Sequence, residues 1–249
     1  MILLIVLFLV GIIAGFINTL AGGGSALVLP VLILAGIPSP IANATNRVAI
    51  LLQNIAGVSR FHKHGVLEVG SIIHITIAAI IGAIAGSISA INISSAYYDK
   101  ILAFVFIIIL ILMLKPHKKK SSLTKKLPKW LEFIIFLIVG FYGGLVQVGV
   151  GFIFLATLNL VEEFDLIKAN AIKVFIIMCY TIFAVIIFAY SGKVIWKYGL
   201  ILAAGNVIGA FIGVKAAITR GEKFVKIVLT VAIIIACLKL FGVFGLIGI

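Results

Sequence analysis

Apolar runs long enough to span about 30 Å of hydrocarbon recur along the whole of this 249-residue sequence, and that recurrence limits the chain to folds that a lipid bilayer can solvate. They fall near residues 2–35, 41–59, 70–92, 98–114, 131–160, 168–190, 197–218 and 223–243. With 64% apolar residues, 11% charged residues and a mean hydropathy of +1.37, the chain has too little polar surface to cover a water-soluble globule. The expected fold is an all-α polytopic membrane protein of about eight transmembrane segments. The first run lacks a basic n-region and is too long for a cleaved signal peptide.

The net charge of +13 does not indicate nucleic acid, because the basic residues form no aromatic-interleaved face on a soluble domain. They gather in loops instead. Seven lysines lie in KPHKKKSSLTKKLPK at 115–129, so the positive-inside rule puts residues 115–130 in the cytoplasm as a linker between residues 1–114 and 131–249. Cys179 and Cys237 sit singly in apolar segments, with neither a disulfide framework nor a metal spacing.

The two halves match each other at an offset of 127 residues. Gly22 and Gly24 align with Gly149 and Gly151, ANA at 42–44 with ANA at 169–171, Gly65 with Gly192, and Gly82 and Gly86 with Gly209 and Gly213. A glycine ladder and paired asparagines at one offset indicate two homologous repeats, and in transporters the solute site lies between such repeats. Two topologies stay open. If each glycine-broken first segment crosses once, each half has four crossings and the repeats are parallel; if it re-enters, the repeats are inverted. Residues 26–36 make only about 16 Å of helix at 1.5 Å per residue, too short to cross, which favours inversion by a small margin.

The break in FINTLAGGGSALVLP, residues 16–30, therefore has a counterpart in QVGVGF at 147–152. Backbone that leaves helical geometry at membrane depth must be buried in protein or line a wet cavity. A half-helix starting there directs unpaired N–H groups and the positive end of its dipole at any ligand, which suits an anion. Candidate ligand residues are Asn18, Thr19, Gly22, Gly23, Gly24 and Ser25 in the first half, with Gln147, Gly149 and Gly151 in the second. Close helix packing is the competing explanation for the glycines.

ANATNRVAILLQN adds Asn43, Asn46 and Arg47, and its mate ANAIKVFIIMCYT adds Asn170 and Lys173. A cation inside a membrane segment is costly unless it faces a cavity or a partner, so Arg47 and Lys173 are expected to converge on the anion, with snorkelling to the headgroups as the alternative. All seven acidic residues lie in loops or at segment ends, which weighs against a buried carboxylate proton relay or sodium site. His74, about one turn into its segment, reads as interfacial or packing. With no nucleophile–base set and no metal-ligand cluster within the spans, the residues imply no enzyme, no metal and no cofactor.

GFINTLAGGGS, ANATNRVAILLQNIAGVSRF and KANAIKVFIIMCYTIFAVIIF resemble the motifs of the TauE/SafE sulfite exporter family, also called the 4-toluene sulfonate uptake permeases, and the similarity runs over essentially the whole chain. The resemblance implies a multi-pass inner-membrane transporter built by duplication, moving sulfite, related sulfur oxyanions or organosulfonates. The two glycine motifs and the NATNR and NAIK stretches would line its path. A thiosulfate-handling branch uses path cysteines that Cys179 and Cys237 do not reproduce. A non-transporting membrane scaffold or biogenesis factor and an anion channel are the alternative functions. The partners implied are a small sulfur-containing anion and the lipid bilayer, with no nucleic acid; the oligomeric state is not set by the sequence.

Overall fold

The computed structural model describes residues 2–20, 22–114, 127–162 and 164–240, of which 71, 106–114, 160 and 221–240 are described by backbone alone. Most of the lysine linker, with its expected cytoplasmic placement, and Glu163 lie outside the described residues, as do the side chain of Cys237 and the end of the 223–243 run.

Among the described residues the fold is all-helical. The helices are α1 (Ile2–Leu20), α2 (Ser25–Leu34), α3 (Ser39–Lys63), α4 (Ile73–Asn92), α5 (Ser95–Leu114), α6 (Lys129–Leu145), α7 (Val150–Val161), α8 (Leu166–Tyr190) and α9 (Trp196–Leu240), with one 3₁₀ turn at Gly70–Ile72. Among the described residues four spans are long and apolar enough to cross a membrane: α1, α4, α8 and the Trp196–Arg220 part of α9. α3 has the length but carries a polar stripe from Asn43 to Asn54. The helix runs on unbroken from Trp196 to Leu240, where the sequence suggests two segments parted near residue 220. No proline lies in that stretch, so nothing in the backbone chemistry forces a stop.

Burial is inverted relative to a soluble protein. Ile2, Leu9, Ile13, Ile77, Ile138 and Ile212 face outward, whereas Asn43, Asn46, Arg47 and Asn170 are 0% exposed. Lipid solvates the first group, and only protein can satisfy the second.

Small residues set the helix directions. A Cβ added at Gly11 would lie 2.7 Å from Leu202 O, and one at Gly15 2.2 Å from Asn206 O, so α1 and α9 run parallel in near-contact. Gly140 and Gly144 meet Ala79 O and Ala83 O in the same way, which makes α4 and α6 parallel. Thr45 Oγ1 accepts from Ile195 N, Gly199 abuts Val48, and Arg60 lies over Phe211, so α3 runs with α9. In contrast, Phe61 packs with Ala171 and Val174, and Ala44 with Ala184 and Phe188, so α3 and α8 are antiparallel. Helices α1 and α3 thus share a direction, and α2, about 15 Å long at 1.5 Å per residue, returns between them.

Not every glycine is equally constrained. An alanine Cβ at Gly57 would sit 2.9 Å from a Val174 methyl, which can turn away. Gly57→Ala is expected to cost only about 1 kcal/mol in a mixed-micelle unfolding titration, whereas Gly140→Ala, against backbone, is expected to cost several times more.

Candidate anion-binding cleft between two half-helices

Both glycine motifs end a helix inside the protein. After α1, Gly22 takes φ +90°, and after α6, Gly149 takes φ +72°. Gln147, at φ +67°, is the one non-glycine with positive φ among the described residues, so its backbone is strained where its side chain enters the site. Gly22 and Gly151 touch backbone to backbone: a Cβ on Gly22 would lie 2.2 Å from Gly151 Cα. Neither α2, which starts after Gly24, nor α7, which starts after Gly149, has a side-chain N-cap; tight turn bonds tie up most of their first-turn donors instead, from Ala26 N to Gly23 O, Leu27 N to Gly24 O, Val150 N to Gln147 O and Phe152 N to Gly149 O.

Between these ends lies a small polar cleft lined by Asn18, Gly22, Ser25, Gln53, Asn54, Gln147 and Gly151, with Ile50, Val150 and Ile177 as apolar wall. It has room for about one water molecule, so a larger ligand requires the half-helices to part. Of the residues expected from sequence, Asn18, Gly22, Ser25, Gln147 and Gly151 line it. Asn46 stands behind, donating from Nδ2 to Ser25 Oγ at 3.1 Å. Thr19 donates to Gly15 O within α1, Gly23 abuts the Phe152 ring, Gly24 abuts Ala14 O, and Gly149 serves as the turn into α7. Gln53 and Asn54 are lining residues that a search centred on glycines and charges passes over. Their signal was the helical spacing of Asn46, Ile50, Gln53 and Asn54, which puts all four on one face of α3.

The two cations do not line the cleft. Arg47 Nη1 donates to Gly143 O at 2.6 Å and Gln147 Oε1 at 2.7 Å, and Nη2 donates to Gly144 O at 2.7 Å. Lys173 Nζ donates to Asn18 O at 3.0 Å, Thr19 O at 3.1 Å and Asn170 Oδ1 at 2.7 Å. Each cation closes the C-terminal carbonyls of a helix that stops inside the protein: Arg47 those of α6, Lys173 those of α1. Such carbonyls have no intrahelical donor and carry the negative end of the dipole, so a buried cation is suited to both needs. Asn43 and Asn170 complete the pattern, donating to Leu145 O at 3.3 Å and Leu20 O at 3.0 Å. The donors Asn43 and Asn170 are 127 residues apart, and the acceptors Leu20 and Leu145 are 125 apart.

No carboxylate neutralises either cation among the described residues, whose two salt bridges, His74–Glu132 and Lys168–Glu68, lie elsewhere. His74 Nε2 is 2.9 Å from Glu132, and ligand atoms of His74, Glu132 and Glu162 all lie within 4.8 Å of one another. This cluster joins the starts of α4 and α6 to the end of α7, a meeting that sequence separation hides.

Helices that stop inside the protein, with buried cations on their carbonyls and a polar cleft between uncapped half-helices, define a multi-pass membrane protein of the solute-carrier class. The chain belongs to the TauE/SafE sulfite exporter family, whose model matches residues 7–240, and it is accordingly a membrane transporter. It is 28% identical over 240 residues to a probable membrane transporter protein of Sinorhizobium sp, covering 96% of this chain and 92% of the relative. A probable membrane transporter protein of Haemophilus influenzae is 27% identical over 226 residues, covering 90% and 89%, and one of Escherichia coli is 27% identical over 241 residues, covering 96% and 89%. No solved structure matches the chain.

Proposed function

We propose that this protein moves a small sulfur-containing anion, sulfite or an organosulfonate, across the inner membrane, binding it between the two half-helices. One observation carries the reading: two buried cations without carboxylate partners among the described residues stand directly behind a cleft lined by amides at the starts of two half-helices. The anion is held by uncharged donors at short range, and Arg47 and Lys173 supply positive potential through the groups they fix. The antiparallel run of α3 against α8, 127 residues apart in register, together with the returning α2, supports residues 1–114 and 131–249 as inverted repeats with re-entrant α2 and α7. Residues 115–130 are the cytoplasmic linker.

Inside-negative voltage favours anion exit by about 2.3 kcal/mol per charge per 100 mV, so export requires no coupling ion. Purified protein in liposomes is expected to move radiolabelled sulfite with saturation and counterflow. Flux without saturation or counterflow would make the protein a channel, and the absence of flux for sulfite and small sulfonates alike would leave a scaffold. Uphill uptake that depends on a proton gradient would contradict export driven by voltage.

A further inference from the structure

The two glutamines of the cleft are held in one orientation each by chains of hydrogen bonds that begin at groups able only to donate. The first chain starts at Gly24 N, which donates to Asn18 Oδ1 at 2.7 Å. A backbone N–H cannot accept, so that end of the Asn18 amide is its oxygen, and Nδ2 is left to donate to Gln53 Oε1 at 3.2 Å. Asn206 Nδ2 donates to the same oxygen at 3.1 Å. The second chain starts at the Arg47 guanidinium, which also cannot accept; the Gln147 atom 2.7 Å from it is therefore Oε1. Tyr180 donates its hydroxyl to that oxygen at 2.9 Å.

Both glutamine oxygens are thus occupied by two donors each, and both Nε2 groups lack a partner among the described residues. Gln53 and Gln147 are 2% and 3% exposed, and both line the cleft. Asn54, 3% exposed and also lining, makes no hydrogen bond and can present either end of its amide. The acceptors left to a ligand among the lining side chains are one end of the Asn54 amide and the Ser25 hydroxyl, which already accepts from Asn46, against two fixed amide donors.

We propose that this fixed polarity makes the cleft selective for anions that only accept hydrogen bonds, so that Gln53 and Gln147 reject oxyanions carrying an acidic hydroxyl. A sulfonate or the sulfite dianion presents bare oxygens to every donor. Bisulfite and the hydrogen-bearing phosphates and phosphonates bring a donor of their own, which meets a fixed amide donor unless the Asn54 amide or the Ser25 hydroxyl turns its oxygen to it. Arg47 takes part without touching the ligand: it sets the polarity of Gln147. The proposal rests on the reading of this cleft as an anion site.

The test uses two ligands of matched shape and charge. Methanesulfonate is a monoanion with three bare oxygens; methylphosphonate, at a pH below its second ionisation, is a monoanion with one P–OH. Titrated calorimetrically into the purified full-length protein, methanesulfonate is expected to bind at least about tenfold more tightly, the effect of leaving one buried donor unpaired. Gln147→Glu replaces the inward donor by an acceptor and is expected to bring the ratio of the two affinities to about one or reverse it; Gln53→Glu tests the other chain if the first variant does not fold. Equal affinities in the unmodified protein would overturn the selectivity while leaving the anion site standing. Binding of neither ligand would overturn both.

Discussion

Replacing Arg47 with alanine is expected to destabilise the protein by about 3–5 kcal/mol, from the loss of three buried hydrogen bonds to a charged group, each worth about 1.5–3 kcal/mol before the site relaxes. The guanidinium is 0% exposed and closes Gly143 O, Gly144 O and Gln147 Oε1 in one fork. Its removal orphans Gly143 O where neither water nor lipid can serve it, at about 1–3 kcal/mol, and leaves Gly144 O with the Ser87 hydroxyl at 3.3 Å alone. Leu145 O is spared, because Asn43 and Tyr98 both donate to it. Arg47→Lys keeps the charge but loses the planar fork, so its loss of stability should fall between wild type and alanine. Lys173→Ala is expected to follow the same pattern with an effect of similar size, since it takes the donor from Asn18 O and Thr19 O while Asn170 still holds Leu20 O. Mixed-micelle unfolding titrations measure all three, with sulfite flux per folded molecule read alongside. A variant that loses flux but keeps full stability would mean that Arg47 acts on the solute directly and is not a helix cap.

That expectation differs from what the charges suggest in sequence, and the difference has a physical origin. A cation inside an apolar run must meet something that offsets its burial, and this requirement is visible one-dimensionally in NATNR and NAIK. Which acceptors meet it is a tertiary matter: Gly143 and Gly144 lie nearly a hundred residues from Arg47, and glycine carbonyls carry no side-chain signal at all. Most helices were legible, because apolar length and the breaks at residues 22–24 and 149–151 are local, but the parting expected near residue 220 is absent from α9. The direction of α2 had only its shortness to indicate it, since ten residues of uniform apolarity look alike whether they turn back or go on. The 127-residue offset also concealed a slip, because α1 and α6 supply their terminal carbonyls at a spacing of 125 while α3 and α8 supply donors at 127. Arg47 and Lys173, 126 apart, reach matching carbonyls from unmatched positions, so a strict offset pairs Lys173 with Asn46 and not with the other carbonyl-binding cation.

The other large effect is expected where the two glycine motifs meet. Gly22→Ala places a methyl 2.2 Å from Gly151 Cα and 2.5 Å from Gly151 C, and Gly151→Ala places one 2.3 Å from Gly22 Cα. Both obstacles are backbone, so no rotamer change relieves them; the loops must separate by about 1 Å, beyond the 1–3 kcal/mol range typical of overpacking against side chains. Gly22 also sits at φ +90°, where an L-residue adds roughly 1–2 kcal/mol of its own. Gly22→Ala should therefore be the more damaging of the two. A single separation admits both methyls, so the double variant is expected to cost less than the sum of the singles, with a coupling of about 1–3 kcal/mol. Gly65→Ala supplies the control, with φ +67° and nothing within 4 Å of the added methyl: it should show the backbone cost alone, about 1 kcal/mol. Because Gly22 and Gly151 also wall the cleft, sulfite flux should fall in both single variants even in whatever fraction still folds. Strict additivity of the two substitutions, or a Gly22→Ala variant no less stable than Gly65→Ala, would show that the motifs do not touch and that the cleft between them is built differently.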